Sequence, residues 1–305
     1  MALNDTTTWT GASDTDWDTV GNWTNGVPDA DGTAVIDGSV NIAGGSVSNP
    51  DVDRVWIAST YTGSIGSTGT PIELDFAELS VDNNVIGGVH YIEKEGSTNT
   101  ATIMVDGLKT GNNLYLAGTI DKIIVESTYV GTMYLGVSAS KTCIPKDLIM
   151  LTNTGIVDAS TAANVAWASS STVNVLSGTL KLGENVGASS TLTMSGGTVT
   201  VSDWTKVASD VFNILGGTVN WSGGSTGVDT PTATTVTTLN VYGGTFTTAA
   251  NVKAQVGLTS INQYGGSIDL ESSFANIEIL GTFTGFTGTY NPPKQSKITT
   301  ITLGA

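Results

Sequence analysis

Five related segments follow one another in the C-terminal half of the chain: VNVLSGTLKLG (173–183), LTMSGGTVTVS (192–202), FNILGGTVNWS (212–222), LNVYGGTFTTA (239–249) and INQYGGSIDLE (261–271). Aligned on the last glycine of each, they set Gly178, Gly197, Gly217, Gly244 and Gly266 at intervals of 19, 20, 27 and 22 residues. An earlier copy, VNIAGGSVSNP, sits on Gly45. A repeat of about twenty residues marks small units stacked on their neighbours, a solenoid.

The apolar phase inside each unit says what the units are. Relative to the anchor glycine, apolar residues fall at −5 and −3 and again at +2 and often +4: Leu192, Met194, Val199 and Val201 in the second unit, Phe212, Ile214, Val219 and Trp221 in the third. Alternation within each half is the strand period of two. The step from −3 to +2 is odd, so one straight strand would send the halves to opposite faces. The glycines must therefore bend the chain so that both halves face a single interior. That is one coil of a β-helix. A β-sandwich whose hairpins share a Gly-Gly turn is the alternative, and the regular spacing speaks against it. The 27-residue interval holds GGSTGVDTPTATT (223–235), which reads as a polar loop inserted into one coil. Six coils at strand spacing would extend roughly 25–30 Å.

Between residues 50 and 170 strand signals continue (RVWIAS, IELDFAELSV, KIIVES, TMYLGVS) while the Gly-Gly anchor fades. Irregular solenoid and a separate β domain both fit. After Gly281, Pro292 and Pro293 interrupt any ladder, since proline donates no hydrogen bond. The final KITTITLGA is strand-like, and either caps its own solenoid or pairs with a neighbouring subunit. The expected organisation is a cap with the first strands (1–49), an irregular β region (50–170), regular solenoid repeats (171–290) and a terminal strand (291–305). The fold class is all-β, a parallel β-solenoid for which a right-handed coil is expected, opened by a Trp/Asp-rich cap.

Composition agrees. Only 12% of the chain is charged and it holds 38 glycines, which suits strands and tight turns. The net charge of −16 is uneven: residues 1–100 carry 15 acids against Arg54 and Lys94, a balance of −13. Such a surface repels phosphate backbones and anionic membranes, so nucleic acid and membrane are poor partners. Cys143 is the one cysteine, which excludes an intrachain disulfide. The opening MALNDTTTWT lacks the basic and apolar regions of a signal peptide, and no apolar run has transmembrane length.

Chemistry is sparse. His90, the one histidine, lacks a nucleophile elbow to work with, and reads as a partly buried or surface strand residue. Cys143 reads as a small buried hydrophobe. Asp203, Asp210, Asp229, Asp269, Glu271 and Glu278 offer carboxylates in the repeats, but no two hold equivalent positions in successive units, as a glycosidase pair facing across adjacent coils requires. Arg54 beside Asp51 and Asp53 reads as a turn with a solvated ion pair. Asp14, Asp16 and Asp18 alternate as at the start of an EF-hand loop, but Thr19 stands where glycine is needed and Asn25 where glutamate is. No zinc ligand set exists. Catalytic residues, cofactors and metals are therefore not expected. The rings of Trp9, Trp17 and Trp23 read either as a sugar platform or as a packed cluster that plugs the open end of the solenoid, and the plug is the expected role.

Trp9-Thr10-Gly11, Asp16-Trp17, Gly21-Asn22-Trp23 and Gly26-Val27-Pro28 together resemble the opening of bacterial autotransporter-like β-helical surface proteins and of tailed-phage proteins that decorate virions. The likeness covers about a tenth of the chain. It implies a β-helix entrance. The missing leader, translocator and sorting segment favour the phage-like class, assembled in the host cytoplasm. The resemblance leads to the expectation of a virion protein on the capsid exterior: a decoration or cement protein, a head fibre or a spike, homotrimeric and bound to the major capsid protein or another virion protein. The alternatives are a receptor-binding tail fibre or adhesin for surface glycan, and a polysaccharide-degrading tailspike.

Overall fold

The structure, a computed structural model, describes residues 6–82, 88–96, 101–107, 113–151, 153–161, 164–183, 190–201, 208–221, 235–248, 257–270, 277–285, 287–291 and 296–303. Asp203, Asp229, Glu271, Pro292, Pro293 and residues 223–234 of the inserted loop lie outside the described residues. The fold is all-β, a parallel β-solenoid of about nine turns. Backbone contacts divide the chain into two units, Met1–Asp158 and Ala159–Ala305.

In the first unit the strands are β1 (Thr6–Thr8), β2 (Thr33–Ile36), β3 (Gly45–Ile57), β4 (Ile72–Val81), β5 (Val89–Lys94), β6 (Thr102–Val105), β7 (Asn113–Val125), β8 (Thr132–Leu135), β9 (Cys143–Met150) and all but the last residue of β10 (Ile156–Ala159). Their ladders are parallel. The region left open between residues 50 and 158 is thus solenoid. Strict register makes each interior position a column of like residues: Ala34, Val55, Leu79, Ile103, Ile123 and Leu148 are successive partners, as are Ile36, Ile57, Val81, Val105, Val125 and Met150. All twelve are buried. Each of these except the small Ala34 contributes about 1.5–3 kcal/mol by leaving water. A one-residue slip would turn a whole column outward, which is why the register holds.

The second unit repeats the logic with shorter strands. Thr172–Val175, Thr191–Met194, Ala208–Ile214, Thr235–Val241, Gly257–Gln263, Ile277–Gly285 and Ser296–Leu303 form one ladder, and Thr179–Leu182, Thr198–Val201, Thr218–Trp221, Thr245–Thr248, Ser267–Asp269 and Thr289–Asn291 form the other. Both halves of each repeat point inward: Leu192, Met194, Val199 and Val201 are buried, as are Phe212, Ile214, Val219 and Trp221. The bend between them falls on the glycines. At Gly178, Gly197, Gly217, Gly244 and Gly266, φ is +81°, +74°, +76°, +68° and +67°, a left-handed conformation that glycine adopts without penalty. Gly45, at the start of β3, has φ +117°. Outside, Asn262 Nδ2 donates to Asn240 Oδ1 (2.9 Å), Asn240 Nδ2 to Asn213 Oδ1 (2.9 Å), and Asn213 Nδ2 to Thr193 Oγ1 (3.5 Å).

Candidate interaction faces

The N-terminal segment folds around a buried asparagine. Asn22 Oδ1 accepts from the Ser13 and Asp14 amides (2.9 and 3.1 Å), while its Nδ2 donates to Asp14 Oδ1 and the Asp16 carbonyl (2.7 and 2.8 Å). A buried amide that makes four hydrogen bonds fixes its loop firmly. The three tryptophans pack beside it: Trp23 stands edge-on to Trp9 (5.2 Å) and to Trp17 (4.7 Å), and all three are at most 5% exposed. Trp23 Nε1 donates to the Trp17 carbonyl (2.7 Å) and Trp9 Nε1 to the Val40 carbonyl (3.1 Å). Rings so placed offer no stacking face to a sugar. Three of the aspartates accept backbone amides: Asp14 Oδ1 also accepts the Asp16 amide, Asp16 Oδ1 the Asp18 amide, and Asp18 Oδ2 the Ser48 amide. The first two are Asx turns, and the third ties the loop to β3. The Asp14 carboxyl is held below the usual carboxylate range, chiefly by the Asp16 amide. Among the described residues, no group of three His, Cys, Asp or Glu is placed to hold a metal ion.

His90 lies deeper than its sequence context suggests. Ile65 and Leu114 are its neighbours on the adjacent coils, its side chain is fully buried, and the Tyr61 ring lies 5.7 Å away. Cys143 is also fully buried, which pushes its thiol up to about 12. Arg54 stands in β3, with its guanidinium 2.9 Å from Glu78 on the next coil. The expected turn with Asp51 or Asp53 is replaced by a cross-coil pair, because coil stacking aligns Arg54 with Glu78.

Three outward features of the first unit stand out. The first is a strip along one sheet: Val35, Trp56, Ser80, Met104, Ile124 and Ile149 are register partners on six successive strands. Trp56 is 39% exposed. At one end of the strip lies a shallow groove of about 360 Å³, lined by Thr6, Thr33, Val35, Arg54, Trp56, Glu78, Ser80 and Asp82. Immediately past the strand ends run Asp82, Asp106 and Glu126, whose amides bond the Ile57, Val81 and Val105 carbonyls of the preceding coil. They give the strip an acidic border.

No family model matches this chain. No curated protein and no solved structure matches it either.

The second feature is a stack of Tyr91, Tyr115 and Tyr134 on β5, β7 and β8, with ring centroids 4.5 Å apart at each step. The rings cover one another, so the stack presents mainly edges and hydroxyls. Thr68 Oγ1 donates to the Tyr91 hydroxyl (2.9 Å). The third is a charged knot: Lys141 Nζ lies 2.6 Å from both Glu73 Oε1 and Glu93 Oε2, and Ser46 Oγ donates to Glu73 Oε2. The Lys141 hydrogen bond holds the Glu73 carboxyl below its ordinary range, whereas burial, then the neighbouring Glu73 and Glu93, hold Glu95 above it. For Glu73 the associated stability is present above the ordinary carboxylate pKa and lost as pH falls through the lowered value. For Glu95 the sign is opposite: the folded state prefers the protonated form, so the charge opposes folding at neutral pH. Glu95→Gln should therefore raise the melting temperature at pH 7 by the equivalent of about 0–1 kcal/mol, and the gain should vanish near pH 4. Calorimetry at both pH values checks this.

Proposed function

We propose that the chain is a structural protein of a tailed-phage virion, a decoration or cement protein, head fibre or spike on the capsid exterior that acts by docking rather than by catalysis. The observation that carries this reading is the strip Val35–Trp56–Ser80–Met104–Ile124–Ile149 with its border of Asp82, Asp106 and Glu126. It is long, open and held by rigid ladders. A surface of this shape suits another protein better than a small molecule, since small molecules favour enclosed pockets. The acidic border suits a partner with a basic rim, and opposite charges would speed and orient docking. Binding only to the assembled capsid would stabilise the assembly by mass action.

Quantitative mass spectrometry of purified particles tests it. The protein should stand in a simple ratio to the major capsid protein, and Trp56→Glu with Ile124→Glu should be folded yet missing from particles. Absence of the unaltered protein from particles would end the proposal. A homotrimer is part of the reading, and light scattering that finds a monomer at micromolar concentration would remove that part. A second reading is favoured by Trp56 itself: a half-open indole beside Arg54, Glu78, Ser80 and Asp82 is a surface on which a pyranose can stack and hydrogen-bond. A receptor-binding fibre would then bind host cells or capsule through Trp56, and Trp56→Ala would release them.

A further inference from the structure

The interior of the first unit contains a buried lysine–aspartate pair. Lys94, the last residue of β5, points inward in register with Leu74 on one side and Gly118 on the other. Its Nζ contacts Asp75 Oδ1, and the two side chains are 1% and 5% exposed. The Glu95 carbonyl also accepts from Nζ (2.5 Å), and the Phe76 ring centroid is 6.0 Å away. The carboxylate is shut in from the far side: a Cβ on Gly96 would stand 2.1 Å from Asp75 Oδ2 and 2.7 Å from its Cγ. Gly96 has φ +71°, and Gly118, whose own Cβ would meet the Lys94 carbonyl oxygen at 2.0 Å, has φ +87°. Two glycines thus let the backbone close over the pair.

Taking an ammonium and a carboxylate out of water costs several kcal/mol each, and their attraction often fails to repay it. Moving one proton from Nζ to the carboxyl gives a neutral amine in contact with a neutral acid. These are the reactants of amide formation, already held together and shielded from water. Fixed geometry of this kind raises effective concentration to about 10⁵–10⁸ M.

We propose that Lys94 and Asp75 condense into an intramolecular isopeptide bond that ties two adjacent coils together. Nζ attacks Cγ, the Nζ–Cγ bond forms, and the Cγ–O bond to the acid hydroxyl breaks. The hydroxyl leaves as water with a proton from the amine. Ammonium plus carboxylate become one amide plus one water, and no oxidant, reductant or further reactant is needed. The product removes both charges from the interior and converts one non-covalent coil contact into a covalent one. Its formation does not depend on the partner proposed above.

Intact-mass measurement on the full-length protein, purified folded and then denatured, reads the bond directly. The mass should fall short of the sequence mass by one water. Trypsin acting on the denatured chain should fail to cleave after Lys94 and should release residues 55–109 as one peptide that carries the deficit. Fragmentation should place the deficit between Asp75 and Lys94. Lys94→Arg, which keeps the positive charge but cannot form the amide, should have its full sequence mass. A full mass in the unaltered protein, or cleavage into 55–94 and 95–109, overturns the proposal. So does a deficit that maps to an Asp-Gly step (Asp31-Gly32, Asp37-Gly38 or Asp106-Gly107), where the chain can lose water by forming a succinimide, or one that persists in Lys94→Arg.

Discussion

Replacing Trp17 and Trp23 together by alanine is expected to leave the protein insoluble. Each indole is at most 5% exposed and each touches the other edge-on. Truncating a buried tryptophan costs about 3–5 kcal/mol, and a whole domain is stable by only about 5–15 kcal/mol. The two losses will not simply add, since the rings share a contact, yet even one of them consumes much of the margin. The consequence should go beyond stability. The segment from Trp9 to Thr24 is bonded to the first ladder at both ends, the Trp9 amide to the Val35 carbonyl of β2 and the Thr24 amide to the Thr8 carbonyl of β1. Without it, a row of backbone donors and acceptors and an apolar interior would face water, and such an edge invites pairing with other chains. The measurement is the soluble fraction after expression, with circular dichroism on whatever remains in solution. A soluble double variant with unaltered strand content and melting temperature would show that the tryptophans do not seal the end.

Gly197→Val should disrupt the second unit about as severely, for a different reason. At φ +74° a β-branched residue is badly strained. Its Cβ would also lie 2.4 Å from the Gly178 carbonyl oxygen of the coil before. Left-handed backbone costs a non-glycine residue about 1–2 kcal/mol and overpacking a further 1–3 kcal/mol, so roughly 2–5 kcal/mol is at stake. The neighbouring coils give the mutation nowhere to relax, because Gly217 and Gly244 approach the coils before them just as closely. Gly69→Ala is the control: φ is not positive there, and a Cβ would meet nothing within 4 Å. It should stay within about 0.5 kcal/mol of the parent. Chemical denaturation of both variants measures the contrast, and equal midpoints would refute the argument.

The regular coils were legible because two signals coincide in them. Alternation in LTMS and TVTV names the strands, and the glycine between them explains how both halves can face inward. In the first unit doubled glycines are few (Gly44-Gly45 and Gly87-Gly88), and turns such as those at Gly66, Gly118 and Gly136 use single glycines of positive φ at uneven intervals. Without a regularly spaced doubled glycine there is no anchor on which to align copies, so the same architecture leaves little trace. The interaction faces were hidden for a related reason. Tyr91, Tyr115 and Tyr134 are 24 and 19 residues apart, and nothing in the chain pairs them until coil register is known. The buried cation was within reach. In VHYIEK, His90, Ile92 and Lys94 share a phase, and the isoleucine marks that phase as inward. The same phase turns His90 inward, which is why it is fully buried and not the surface or half-buried residue expected. In the sequence Asn22 stands out only as part of a Gly-Asn-Trp motif, and its role as the hub of four hydrogen bonds depends on loop geometry that spacing does not encode.

The asparagine row outside the second unit gives that unit a direction. Every amide in it donates toward the earlier coil: Asn262 to Asn240, Asn240 to Asn213, Asn213 to Thr193. Side-chain dipoles laid head to tail in this way add and polarise one another, as peptide groups do along a helix. The row therefore has an oxygen-ended pole toward the C-terminus and a hydrogen-ended pole toward the N-terminus. A coil added at the C-terminal end meets an acceptor, and one added at the N-terminal end must bring one. Along this row, coils can extend one another only when stacked in the same sense, so the arrow that runs from the first repeat to the last is written in its amides as well as in its backbone.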